Sequence, residues 1–229
     1  MSLLQQNKTI GILTLVSGII ALLCMILGAI AVNFHFEVFN NPVLMLSLPG
    51  IHIEAARWSM ILDMFGYYLL LLPLIYYLHD WMKDKTPFSN LITFCGLAYV
   101  LIGSIGASIL AVAYPKALNS FPIASADMQQ LIRSNFEFVN SMVYDGMWNL
   151  LEMIFAGTWW ISMGILIYQS GRKNIGLVTF ALGSFSLLDG FSGIIQHETL
   201  HEMSLNVYLY LSIIWAIWIG ISIYRKPLC

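Results

Sequence analysis

Charge is scarce in this 229-residue chain: only 10% of its residues are Asp, Glu, Lys or Arg. Soluble domains carry roughly 25%, so a wet-surfaced globular enzyme is excluded, and so is a solvated disordered chain. The Lys and Arg residues are scattered and the net charge is −2, which leaves no basic face for nucleic acid. Cysteine is scarce too. Cys24 and Cys95 fall inside apolar runs and Cys229 is the last residue; no outer disulfide is expected, and a terminal Cys alone is not a prenylation box. The chain lacks a P-loop, a glycine-rich dinucleotide fingerprint and a haem-attaching CxxCH. Its 12 methionines are dispersed rather than arrayed for copper.

What the chain has is long apolar sequence. Hydrophobic residues make up 59% and the mean hydropathy is +0.79. A helix needs about 20 mostly apolar residues to cross a bilayer. Six stretches meet this, at 10–32, 58–78, 90–113, 142–168, 174–196 and 205–223. They lack the period-2 alternation of a membrane barrel, and the first is too long for a signal-peptide h-region. The expected fold is an all-α polytopic membrane protein, one domain over 1–229, with hairpins at 10–78, 90–168 and 174–223. Lys8, Lys83, Lys85, Arg172, Lys173, Arg225 and Lys226 share one side, leaving Arg57, Lys116 and Arg133 on the other. The positive-inside rule then puts both termini in the cytoplasm.

An internal repeat supports the hairpins. Lys8–Leu23 reads KTIGILTLVSGIIALL and Lys173–Leu188 reads KNIGLVTFALGSFSLL, matching at Lys, Ile, Gly, Thr, Gly, Leu and Leu without a gap. Gly11/Gly18, Gly96/Gly103 and Gly176/Gly183 share a spacing of seven. Two helical turns put each pair on one face, where backbones can approach closely. Between spans, 115–141 shows helical periodicity at Met128, Leu131, Ile132, Asn135, Phe136 and Val139, with Ser125 placed to cap it. It is expected to lie on the outer surface or to extend the fourth span. Residues 43–46, bracketed by Pro42 and Pro49-Gly50, are expected to dip into the interface. Pro73 marks a bend or a satisfied proline in the second span.

Ionisable groups inside spans mark sites by default. Asp63, Asp145, Glu152 and Asp189 all fall in the outer half of their spans, within roughly 12 Å of the surface. No Lys or Arg stands at their level; Arg57 and Arg133 are the nearest mobile cations. Asp145 and Glu152 are seven apart, hence on one face of an α-helix. Lone carboxyls in hydrocarbon protonate, take a cation or draw in water. The expectation is an outward-facing acidic pocket lined by these four acids, with Trp148, Trp159 and Tyr67 as aromatic walls. Its occupant would be a cation, a proton-coupled solute or a small amphiphile. The acids as hydrogen-bonded joints between helices, in a structural or partner-binding subunit, are the plainer alternative.

Histidines form the second pattern. His197-Glu198-Thr199-Leu200-His201 spells HExxH, two imidazoles on one helical face with a Glu able to activate metal-bound water. That reading is a zinc-dependent hydrolase with Glu198 as general base. His197 and His201 would be ligands, and His35, His52, Glu54 or Asp63 a third if the first hairpin lies beside the last. Leu188-Asp189-Gly190 invites comparison with intramembrane site-2 metalloproteases, but the motif order is reversed. Eight residues, roughly 12 Å of helix, also separate Asp189 from His197. The chain resembles, over about residues 7–195, a bacterial family of six-span membrane proteins catalogued as a domain of unknown function. The shared features are the opening Lys8-Thr9-Ile10-Gly11, Trp58…Asp63…Leu72-Pro73-Leu74, Gly157-Thr158-Trp159-Trp160 before Gly164 and Tyr168, and Gly176…Gly183…Asp189. The resemblance implies a multi-pass protein of the bacterial inner membrane, in contact with lipid.

Overall fold

The computed structural model describes residues 3–226; Cys229 lies outside them. The described chain is helical with no strand. Within it, six helical stretches are long and apolar enough to cross a membrane: Gln5–Ala31, Ile53–Met82, Ser89–Ile123, Ala126–Gln169, Lys173–Ile194 and Glu198–Arg225. The protein is therefore an all-α, multi-pass membrane protein. The spans are built from α1 (Leu3–Ala31), α3 (Ile53–Asp63) with α4 (Leu72–Met82), α5 (Ser89–Ser120), α6 (Ala126–Ser141) with α7 (Met153–Gln169), α8 (Lys173–Ile194) and α9 (Glu198–Arg225). A short α2 (Glu37–Asn40) lies between the first two spans.

The spans close into a ring in chain order. α1 packs on α3, α3 on α5, α5 on α7, α7 on α8, α8 on α9, and α9 returns to α1. The most extensive contacts are α7 with α8 and α9 with α1. Glycine makes both possible. A Cβ on Gly11 would sit 2.8 Å from the Gly220 carbonyl, and one on Gly183 would sit 2.6 Å from the Ile161 nitrogen. With no hydrophobic drive between helices in lipid, such close van der Waals contact carries much of the association. The second glycine of each spaced pair meets a neighbouring span of the ring: Gly18 meets Ile217, Gly103 the Tyr68 ring and Gly183 Ile161. For Gly103 the partner is an aromatic ring rather than a backbone, and Gly96 likewise seats Trp159.

Two spans depart from α geometry. In the second, π-helical turns run Met64–Tyr68, a 3-10 turn covers Leu69–Leu71, and α4 resumes with Pro73 in its first turn. Proline supplies no N–H to the preceding turn, so the break falls where that bond would be missing. In the fourth span, π turns occupy Met142–Glu152. A π-helix takes roughly 4.4 residues per turn, so seven residues turn through about 210° rather than returning to one face. This corrects the expectation for Asp145 and Glu152: Asp145 is exposed and Glu152 is buried.

The end of the bundle opposite the two described chain ends carries a second core. α6 extends the fourth span at that end, and 16 residues make it about 24 Å long. Ser125 occupies its N-cap position, without a side-chain bond. Phe136 packs on Tyr114 (5.5 Å between centroids), and the Tyr114 hydroxyl donates to Asn140 Oδ1 at 3.0 Å. Val32, Met45, Leu46 and Leu118 complete this core. Residues Pro42–Leu46 form a 3-10 turn that packs here, with Met45 and Leu46 buried. Asn33, in the left-handed region (φ 50°), closes the loop by donating to the Gly50 carbonyl at 2.6 Å.

Candidate functional site

The ring interior is filled by aromatic side chains from four spans. Tyr99 packs on Trp160 (5.0 Å) and on Tyr68 (5.3 Å), and Trp160 meets both Tyr208 and Trp215 at 5.6 Å. Three of the four expected acids enter this interior. Glu152 ends the second π stretch and is 1% exposed. Tyr68 ends the first π stretch, where its backbone leaves the helical region (φ −127°, ψ −77°). Its hydroxyl sits 3.2 Å from both Glu152 carboxyl oxygens. Asp63 receives the Cys24 thiol at 3.9 Å on Oδ1, while its Oδ2 is buried with no partner.

Asp189 is 0% exposed. Its Oδ1 lies 2.8 Å from His201 Nδ1, an ion-pair contact off the hydrogen-bond axis, and accepts from the Ser204 hydroxyl at 3.3 Å. Its Oδ2 is unpartnered. His201 presents Nε2 to the Asn149 amide at 3.4 Å. The interior thus brings three carboxyls among its aromatic side chains, with His201 beside one of them.

The open acidic pocket expected from sequence is not formed. Glu152 and Asp189 are sealed rather than solvent-facing. Asp145 points outward and accepts from Ser141 at 2.6 Å. Arg57 pairs with Glu54 at 3.7 Å, and Arg133 lies over the Phe121 ring, so neither cation serves the acids. Of the expected walls, Trp148 donates to the Gly103 carbonyl at 3.3 Å, Trp159 is fully buried and Tyr67 is buried in the interior. Tyr68, Tyr99, Tyr208, Asn149 and Ser204 belong to the site and escaped the sequence reading. The signal for the tyrosines was available: phenols deep in spans, away from the interfaces where Tyr normally sits.

The histidines disperse. His197 is the N-cap of α9, its Nδ1 accepting from the Leu200 amide at 3.2 Å. His201 turns inward to Asp189, whereas Glu198 is exposed on the first turn. His52 precedes α3 with an exposed side chain, and His35 contacts Glu37 at 3.2 Å. Among the described residues no three His, Cys, Asp or Glu gather as a metal-ligand set. The HExxH reading therefore lacks its third ligand. A helix boundary explains the pattern, since His197 satisfies an amide at the helix start.

The class defined by this geometry is a closed six-span membrane bundle whose aromatic interior holds three acids. Comparison with known proteins adds no relative: no family model, no curated protein and no solved structure matches the chain.

Proposed function

We propose that the protein is a proton-coupled carrier of the bacterial inner membrane, with three parallel hairpins and both termini cytoplasmic. Glu152 is its central proton site, and Asp63 and Asp189 are the flanking sites. The observation that carries this reading is the sealed Glu152 carboxyl held by Tyr68, with two further acids in the same interior and no Lys or Arg at their level. A cation carrier would need ligands gathered around an open volume; a proton needs only a carboxyl that can be reached in another conformation. The π stretches ending at Tyr68 and Glu152 support it, since π turns inside α-helices often mark functional sites.

The test is infrared difference spectroscopy between acid and alkaline buffers, joined to proton movement in liposomes that contain a pH dye. A protonated-carboxyl band that disappears in Glu152→Gln, together with loss of proton movement, supports the carrier. Absence of both the band and proton movement in the unaltered protein overturns it. Single cysteines at Glu54 and Asp84 test the orientation: a membrane-impermeant thiol reagent applied to intact cells should label the first and spare the second.

A zinc hydrolase is kept as second reading because Asp189 orients His201 as carboxylates orient metal-bound imidazoles. Metal analysis after purification in zinc-replete medium decides it. Stoichiometric zinc lost in His201→Ala supports the hydrolase, and zinc-free protein removes it.

A further inference from the structure

We infer that the centre of the ring holds one structural water, bound between Tyr67 of the second span and Trp160 of the fourth. A cavity of about 10 Å³ lies there, bounded by Ala21, Tyr67, Tyr99, Trp160, Ser212 and Ala216 among others. A volume of roughly 10–15 Å³ on this measure accommodates one water, provided that polar partners face it.

The polar atoms around the cavity show what its occupant must do. Tyr99 already donates to the Tyr67 carbonyl at 2.6 Å, and Trp215 Nε1 donates to Thr179 at 2.8 Å. Ser212 donates to the Leu209 carbonyl at 2.8 Å and keeps lone pairs free to accept. Two lining residues remain, Tyr67 and Trp160, and the hydroxyl of the one and the indole N–H of the other are buried without a partner. Tyr67 is 5% exposed and Trp160 0%. Each is a donor at neutral pH, so the missing partner is an acceptor of atomic size. A buried donor left unpaired is destabilising, and two such donors on residues of one cavity select a molecule that accepts twice.

A small anion would meet the acids of this interior, so water fits better. It accepts from Tyr67 and Trp160 and donates to Ser212, the three bonds usual for a buried water. The site adds a polar link among the second, fourth and sixth spans, which are not neighbours in the ring order. A second role, as a relay for protons between Asp63 and Glu152, rests on the carrier reading above. Occupancy does not.

The first test is a density map of the full chain at a resolution that shows ordered water. One peak within hydrogen-bonding distance of both Tyr67 Oη and Trp160 Nε1 is expected. A cavity without density, in a map showing water elsewhere at equal depth, overturns the inference. The second test is Ala216→Val, which fills the cavity. Displacing the water strands both donors, so the melting temperature should fall by about 2–4 °C, while in a Tyr67→Phe/Trp160→Phe background the same filling should not lower it. An equal shift in both backgrounds overturns the inference. A bound water in a protein that moves no protons would sink the carrier reading alone.

Discussion

The Tyr68 phenol reaches across the ring from the second span to the Glu152 carboxyl of the fourth, 3.2 Å from each oxygen. Each residue is the last of its π-helical stretch. Two local departures from α geometry thus deliver the two ends of one contact. Removing the phenol and removing the charge should have different effects.

Tyr68→Phe leaves Glu152 buried without its donor. A loss of about 1–3 kcal/mol is expected, read as a lower unfolding midpoint in detergent. Glu152→Gln keeps an acceptor for Tyr68 and should unfold close to the unaltered protein while moving no protons. A double-mutant cycle over Tyr68→Phe and Glu152→Ala should return a coupling of about 0.5–3 kcal/mol; additive effects would show that the contact does not form.

Gly103→Ala drives a methyl into the Tyr68 ring. Overpacking of this kind costs about 1–3 kcal/mol, and here it also displaces the partner of Glu152. Gly146→Ala is the matched control, because nothing lies within 4 Å of its added carbon. Thermal melts of the two variants should differ, the first lower and the second within about 1 kcal/mol of the parent.

His197→Ala removes the cap from α9. The expected cost is about 0.5–2 kcal/mol, with faster hydrogen exchange confined to the first turn after residue 197. If metal binding, rather than capping, is the role of His197, the same substitution will change metal content and leave local exchange as it was.

Gly50 adopts φ +69°, and Asn33 holds its carbonyl. An L side chain in this region costs roughly 1–2 kcal/mol. Gly50→Ala should therefore loosen residues 33–52 and raise their sensitivity to added protease, with the spans unchanged.

Six spans were legible because hydropathy reports membrane crossing directly, and the acids stood out because charge is rare among them. The glycine pairs were legible as packing faces, though two of their neighbours proved to be rings, Tyr68 and Trp159, rather than backbones. The faces of the fourth span were not legible. An assumed period of 3.6 placed Asp145 beside Glu152, and nothing in the residues 142–152 announces π turns. The geometry of the histidine motif was not legible for a related reason: spacing suggests two imidazoles on one face, but His197 stands at the helix start and its ring nitrogen accepts from the Leu200 amide. Tyr68 and Tyr208 were not singled out, because their hydroxyls have meaning only once their neighbours are known.

The π stretch in the second span also bears on insertions and deletions. Such a stretch is the form a helix takes when it holds a surplus residue, so deleting one position between 64 and 68 would restore ordinary winding and leave the crossing intact. Five π-helical residues and four α-helical ones turn through nearly the same angle, about 410° against about 400°, so the side chains on either side of the deletion would keep their faces. The shortened chain would still enter the bilayer in register, yet the backbone departure at Tyr68 would be gone.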